Sequence, residues 1–399
     1  MAVATLAFAQ TMPTAFVMGA LPLIWREQGY TLLQIGVLQA LYLPWVFKAL
    51  WAPIVDRWSK YGGAQFYFLL LAQVSVSFLC LTLAALPPGP DPIPTFAVIL
   101  LLSIVSATAD NAGDAVAIRL TPKSDSERAN SWREAAALFS AAISAGGGLI
   151  IAMNFGWSIA IFLIATLSTS GIVATVWLKR KIISFKPSYF LQTRFESSLL
   201  LGSFLRPRGL QMFGIIALAS AANRAAGANP RILLSDLNLS ADCLGFVFGV
   251  LEPGTGVAGA ITFGVLARSM GVLRLLPVAI GLKALVLFTF AGALRLTLEP
   301  EVFVALYLSM SFCFGAIVAS FGGLIMRWSR TGSEATDAAS FFSVAAVMWF
   351  VMQPLSGYVA DTYNYVGLFI ACALIATFAS LTLPRMLGAT IIAMSPSTK

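Results

Sequence analysis

Acids and bases stand inside stretches of this sequence that are otherwise apolar: Lys48, Asp110, Asp114, Arg133, Glu134, Arg224, Glu252 and Lys283. Charged groups in such surroundings can pair with one another, take up and release protons, or receive a charged solute. At the centre of a bilayer each costs roughly 2.5–3.5 kcal/mol on insertion scales, so each needs a partner, a watered cavity or a function. The 399 residues contain no histidine. That removes haem–histidine ligation, HExxH metalloproteases, and Ser-His-Asp and Cys-His nucleophile pairs. The four cysteines, Cys80, Cys243, Cys313 and Cys372, lie in or beside apolar runs without CxxC spacing. They read as small buried apolar residues, and no disulfide framework, metal site or cofactor is expected.

The elements that must position these groups follow from composition. The chain is 59% apolar and 11% charged, too greasy for a soluble fold to hide and suited to repeated bilayer crossings of about 20 residues each. Apolar runs of spanning length lie near 3–25, 31–55, 64–86, 95–117, 131–153 and 157–178. The count then repeats near 209–229, 240–264, 275–294, 301–325, 338–359 and 364–386. The first run lacks the basic lead-in of a signal peptide and reads as a membrane span.

Of the 25 Lys and Arg, 18 fall in loops on the N-terminal side, three on the other side (Arg26, Arg231 and Arg295) and four inside spans. By the positive-inside rule both termini are cytoplasmic, and the net charge of +8 needs no nucleic acid to explain it. The long basic stretch 179–208 reads as a topology anchor on anionic lipid. It divides the chain into a six-helix bundle over 1–178 and another over 209–399. IRLTPKSDSERANS (118–131) and MRWSRTGSEATDAAS (326–340) echo each other half a chain apart. Together these features predict an all-α membrane protein of twelve transmembrane helices in two pseudo-symmetric halves, the major facilitator fold, with a substrate site between parallel repeats.

Depth along each span predicts partners. Span 2 runs inward from about residue 31, which puts Lys48 roughly 25 Å down at 1.5 Å per residue, and span 4 brings Asp110 to a similar level. Lys48 and Asp110 are therefore expected to meet. Asp114, one turn deeper on the same face, is within reach of Arg57, Arg119 and Arg133, and a clamp on the cytoplasmic side is expected there. Glu134 follows Arg133 one turn into span 5. Glu252 sits at a helix loosened by Pro253, Gly254 and Gly256, with Lys283 at matching depth as its expected partner. Asn223 and Arg224 are placed to meet an anionic solute. Trp45 and Phe312 lie deeper than the interfacial aromatics and are packing or ligand-stacking positions.

Particular segments add a family resemblance. AFAQTMPTAF (7–16), ALPLIWREQGYTLLQIG (20–36) and LYLPWVFKALWAPIVDRW (41–58) resemble spans 1 and 2 of siderophore importers of the RhtX/FptX type and of AmpG muropeptide permeases. SATADNAGDA (106–115) is similar to their fourth span, and MRWSRTGSEATDAA (326–339) to the loop before their eleventh. LYLPW and the twelve-span length resemble the siderophore branch more than the longer AmpG proteins. The resemblance implies import of a ferric siderophore across a bacterial inner membrane by alternating access, driven by protons. It makes Asp110, Glu134 and Glu252 the proton-coupling candidates. Trp45, Lys48, Asn223, Arg224 and Phe312 are the substrate-binding candidates, and Asp56, Arg57, Asp114 and Arg133 the gate. The expected partners are a small iron-carrying solute, protons and the bilayer, with the chain as a monomer; iron arrives inside the solute.

Other classes fit less well. An intramembrane aspartyl protease also needs two aspartates and no histidine, yet NAGD (111–114) lacks the first glycine of GxGD, and Asp110 and Asp114 share one helix. A membrane sensor needs a soluble output domain, whereas the longest loop is about 30 residues. Drug efflux is half signalled by AGGG (145–148), with no proline after it. Muropeptides or other small solutes remain the alternative cargo.

Overall fold

The computed structural model describes residues 2–27, 41–59, 62–87, 89, 93–184, 203–206, 208–227, 229–237, 239 and 241–392. Among them the chain is helical, with turns and short connections and no strand. The first part of predicted span 2 (31–40) and most of the basic stretch (185–202) lie outside the described residues. We number the helices α1 (2–27), α2 (43–59), α3 (Gly62–Ala84), α4 (Ile93–Leu120), α5 (126–155) and α6 (Trp157–Trp177). They continue as α7 (Gly209–Arg224), α8 (Asn229–Asp236), α9 (241–270), α10 (Val272–Arg295), α11 (Pro300–Trp328) and α12 (Glu334–Ile392). Nine helices among the described residues are long and apolar enough to cross a bilayer, and the last of these, Glu334–Gly388, holds two of the predicted spans.

The breaks between elements have local causes. Gly156 (φ +94°) separates α5 from α6, and Gly271 (φ +76°) separates α9 from α10, both in backbone regions that favour glycine. Inside α12 the backbone turns at Asn364 (φ 58°, ψ 179°). Its side-chain oxygen accepts from the N–H of Val366 at 2.9 Å and of Gly367 at 3.3 Å. Asn364 thus ends one helix and caps the next, where the predicted last span begins. α2 is built in pieces, Leu43–Phe47, a 3-10 turn at Lys48–Leu50, and Ala52–Ser59. Pro53, which has no N–H and crowds the carbonyl four residues back, accounts for the change of pitch. Predicted span 7 is shorter than expected: α7 stops at Arg224 and a turn over 225–227, with Gly227 at φ +56°, leads into α8.

The chain forms two compact units. The first holds the described residues of Met1–Asp125, Trp132–Leu200 and Arg327–Ser343; the second those of Ser126–Ser131, Leu201–Met326 and Val344–Lys399. The first unit takes in nearly all of the later echoing segment (327–340), and the second takes in the last six residues of the earlier one (126–131).

In the first unit, α1 and α5 pack closely because small residues face each other. A Cβ on Gly19 would lie 2.6 Å from Ala145 Cβ, and one on Gly148 would meet the Phe16 ring at 2.9 Å. Ser140 donates to the Phe8 carbonyl at 2.7 Å, and Ser144 donates to that of Met12. Such approach of small residues, with hydroxyl-to-carbonyl bonds across it, replaces the hydrophobic drive that lipid does not supply. Trp25, Phe16, Met12 and Leu21 fill the core behind this contact.

In the second unit the same device joins α9 to α11. Gly315 lies against the Gly256 carbonyl, Gly259 lies against the Phe312 carbonyl, and Ser311 donates to the Glu252 carbonyl at 2.6 Å. The opening turns of α5 belong here as well, with Asn130 donating to the Ala319 carbonyl at 3.0 Å and Gly264 pressed on Ser131. Phe290 stacks on Phe369 at 4.7 Å in the apolar core.

The α9–α11 contact leaves no room for a side chain at Gly315, while the position of Gly254 is open. Gly315→Val is expected to lower the thermal unfolding midpoint of the purified protein, by the equivalent of about 1–3 kcal/mol for an overpacked contact. Gly254→Ala is expected to leave it unchanged; equal effects of the two would contradict this packing.

Candidate functional site

The first unit gathers four of the predicted charges. Lys48 sits on the 3-10 turn of α2 and is buried, 2% exposed. Its ammonium is 2.5 Å from Asp110 Oδ2 and 3.6 Å from Asp114 Oδ2, with the Phe342 ring 5.0 Å away. Arg133, from α5, closes the set by pairing with Asp114 Oδ1. Two acids and two bases thus neutralise one another, which a low-dielectric interior demands of charges it contains. Among the described residues Asp114 Oδ2 has no hydrogen-bond partner and only the long Lys48 contact. The Asp110 side chain is the accessible member, 26% exposed against 2% for Asp114.

The break in α2 positions Lys48, and α4 holds it there. Asn111 donates from Nδ2 to the Lys48 carbonyl at 3.0 Å, beside the Trp51 N–H that closes the 3-10 turn on the same oxygen. Gln10, from α1, donates to the Ala109 carbonyl at 2.8 Å and lies over Gly113, where any side chain would collide with it. Sequence reading missed the roles of Asn111 and Gly113; polar and small residues between the two aspartates were the available signal.

The predicted partners of Asp114 need correction. Among the described residues, Arg133 is the arginine that pairs with it. Arg119 instead reaches Glu334 at 3.0 Å and Gln65 at 3.1 Å. Arg57 is exposed. Glu134 is half-buried beside Arg133, whose guanidinium is given to Asp114. Trp45 stacks on Tyr42 with ring centres 5.7 Å apart.

Beyond the Lys48 turn, α2 ends in a buried carboxylate. Asp56 is 1% exposed and accepts from the N–H of Ala335 at 2.9 Å, the N–H of Thr336 at 2.8 Å and the Thr336 hydroxyl at 2.5 Å. It caps the start of α12 from another helix, satisfying N–H groups that have no partner inside their own helix. Burial pushes its carboxyl up to about 7, against the pull of these donors and with the Glu334 charge adding to the rise. Arg330 grips Asp337 with Nε at 2.9 Å and Nη2 at 2.7 Å, and this pair raises the guanidinium further. Of this cluster, sequence reading singled out Asp56 as a gate group, and the acids of 326–340 appeared only as an echo.

The second unit contains a cavity of about 270 Å³ lined by Asn223, Arg224, Arg231, Glu252, Lys283, Tyr307 and Phe314 among others. The expected Glu252–Lys283 pair does not form. Glu252 Oε2 instead accepts from Arg231 Nη2 at 2.6 Å and Nε at 3.1 Å, and Arg231 Nε also lies 2.8 Å from the Tyr307 hydroxyl. Lys283 donates to both the carbonyl and the Oδ1 of Asn223, the latter at 2.8 Å. The reason is the turn at 225–227: it starts α8 early enough for Arg231, assigned from sequence to a loop, to reach the cavity. Arg224 lies over the Phe314 ring at 4.4 Å, with Lys283 at 6.0 Å from the same ring. Phe312 is not among the cavity residues and packs edge-on against Phe263 at 6.3 Å. The aromatic at the cavity is Phe314, two positions on and so on another side of α11.

Known proteins share this architecture. The profile described as Major Facilitator Superfamily matches residues 3–329. A Haemophilus influenzae protein described as uncharacterized is 23% identical over 383 residues, covering 90% of this chain and 88% of its own. Among solved structures, a bacterial homologue of the iron transporter ferroportin in an outward-facing state superposes with TM-score 0.72 at 14% identity, over 97% of this chain and 98% of that one. The human organic anion transporter MFSD10 gives 0.74 at 13% identity, over 96% and 98%. The proton:xylose symporter XylE gives 0.67 at 13%, over 96% and 94%. At these identities the structural likenesses speak for the fold alone.

The Asp56 cap predicts a pH dependence. An acid whose folded value lies near 7 holds its proton between roughly pH 4 and 7 while the unfolded chain has lost it, so stability falls as pH rises through that window. The wild-type thermal midpoint is expected to drop between pH 5 and pH 8. Asp56→Asn is expected to start lower, having lost an acceptor, and to stay flatter across the same range; parallel pH curves for the two proteins would contradict the assignment.

Proposed function

The chain belongs to the major facilitator superfamily, and from that premise we propose that it is a proton-coupled importer of a ferric siderophore, working by alternating access in a bacterial inner membrane. It is a multi-pass membrane transporter and not an enzyme. On this reading it acts as a monomer of two bundles, 1–178 and 209–399, joined by the basic linker 179–208, with both termini in the cytoplasm. The cargo is supported by the resemblance of 41–58, 106–115 and 326–339 to siderophore importers.

The observation that carries the coupling is the sharing of Lys48 between Asp110 and Asp114. Protonating Asp110 ends its ion pair and leaves an excess positive charge among groups that were balanced. A transporter converts such a change into preference for one state when the two states differ in how well they hold that charge. Asp110 is the most exposed of the four charges at this centre, and so the natural entry for the proton. Glu134 and Glu252 are the secondary coupling candidates. Asp114 with Arg133, Asp56 through its bonds to Ala335 and Thr336, and Arg57 serve as gate groups.

Uptake tests both parts. Cells lacking their own inner-membrane siderophore importers are given this protein and a panel of radio-iron siderophores, with and without a protonophore. At least one ferric siderophore is expected to accumulate, the protonophore to abolish it, and Asp110→Asn to cut accumulation by at least about tenfold, as for loss of an essential proton-transfer group. Accumulation indifferent to the protonophore would remove proton coupling. No accumulation across the panel, with the protein inserted, would remove the siderophore cargo and turn attention to muropeptides.

A further inference from the structure

The cavity of the second unit holds a positive charge that no acid answers. Lys283 is 3% exposed, and among the described residues no carboxylate lies within ion-pair distance of it. An ammonium has three N–H donors. Two go to Asn223, through its carbonyl and its Oδ1, and the third has no acceptor among the described residues. Asn223 supplies dipoles and no charge. The one acid among the cavity residues, Glu252, is engaged by Arg231. A buried ammonium without a counter-charge is costly enough that the charge is either given up or met by a visiting anion.

An anionic group entering here meets cationic side chains on one wall. The Arg224 guanidinium lies over the same Phe314 ring that Lys283 approaches, so two cationic side chains converge on one wall. The first unit offers a contrast: Lys48 and the three charges around it cancel, whereas the residues lining the cavity include three bases and one acid. At about 270 Å³ the cavity is smaller than the roughly 300–1,000 Å³ of pockets that enclose a drug-sized ligand. That size suits one arm of a larger solute.

We propose that this cavity is an acid-group subsite, in which a carboxylate, catecholate or comparable anionic arm of the transported solute bonds to the third N–H of Lys283 beside Arg224 and Phe314. The Glu252–Arg231–Tyr307 clasp walls the subsite and keeps its acid paired with Arg231, so that the incoming group meets Lys283. The transported solute is therefore an anion. This deepens the import reading and rests on it for the solute's transport, though the subsite itself requires only an acid group.

The test is binding to the purified full chain in nanodiscs, by isothermal titration calorimetry. The probes are ferric citrate, a ferric tris-catecholate, a neutral ferric trihydroxamate and iron-free citrate. Anionic probes are expected to bind more tightly than the neutral one. Lys283→Met is expected to weaken them by about 10- to 100-fold, the loss of one charge-assisted hydrogen bond, and Lys283→Arg to restore most of the affinity. Asn223→Asp supplies Lys283 with a permanent internal counter-charge and is expected to weaken anionic probes as well, in a protein whose lysine is better held than before. That loss separates anion binding from a merely structural lysine and serves where Lys283→Met fails to fold. Equal affinity for neutral and anionic probes, full affinity in Asn223→Asp, or no binding of any anion to the wild type would overturn the subsite. Binding of iron-free citrate alone, with the same sensitivity to these substitutions, upholds the subsite and removes the ferric cargo.

Discussion

A charge that must sit among lipid-facing helices has to be answered by the protein itself, and the molecule is arranged around that requirement. Lys48 is the point where it bears hardest. Its ammonium is buried at a break in α2, and its neighbours supply either counter-charge or a further bond to the backbone: Asp110 and Asp114 from α4, Arg133 from α5, Asn111 on the Lys48 carbonyl. Removing any one of these leaves a buried group unanswered, which costs more than the pair itself contributes. A set balanced in this way is stiff in one protonation state and unbalanced in the next, which suits a centre that must hold two conformations in turn.

Helix breaks recur at the chemistry. The 3-10 turn of α2 carries Lys48, the turn over 225–227 brings Arg231 to the cavity, and the π turn at Val247–Leu251 runs into Glu252. Glycines and hydroxyls fix the helices where backbones meet, at α9 with α11 and, through π turns at Phe16–Ala20 and Ala142–Gly147, at α1 with α5. Irregular backbone is tolerated at such depth when it lines a cavity or is taken up by neighbouring side chains. Asn111 does this for α2, and Ser311 for the Glu252 carbonyl.

Much of this is legible in the order of the amino acids, because hydropathy sets span positions and residue count sets depth. The Lys48–Asp110 meeting follows from counting 1.5 Å per residue down two helices. Depth says nothing about which way a side chain faces, and the errors fall there. Glu252 and Lys283 share a level but point to different neighbours, Arg231 and Asn223. Phe312 and Phe314 are two residues apart on one helix, and only the second faces the cavity. Arg231 reads as a loop residue because the apolar run before it ends at the turn, while the chain resumes helix at Asn229. The cap that Asp56 places on α12 joins residues some 280 positions apart, a separation that local pattern does not bridge.

Asp110, on the reading proposed above, is where the proton meets the transport cycle. The most direct test is proton movement itself, followed with a pH-sensitive dye inside liposomes that contain the purified protein, when an inward gradient of a transported ferric chelate is imposed. Acidification of the interior is expected with the wild type. With Asp110→Asn, labelled chelate is expected to exchange for unlabelled without any proton movement. Acidification that persists in Asp110→Asn would contradict the assignment and place the coupling proton on another group.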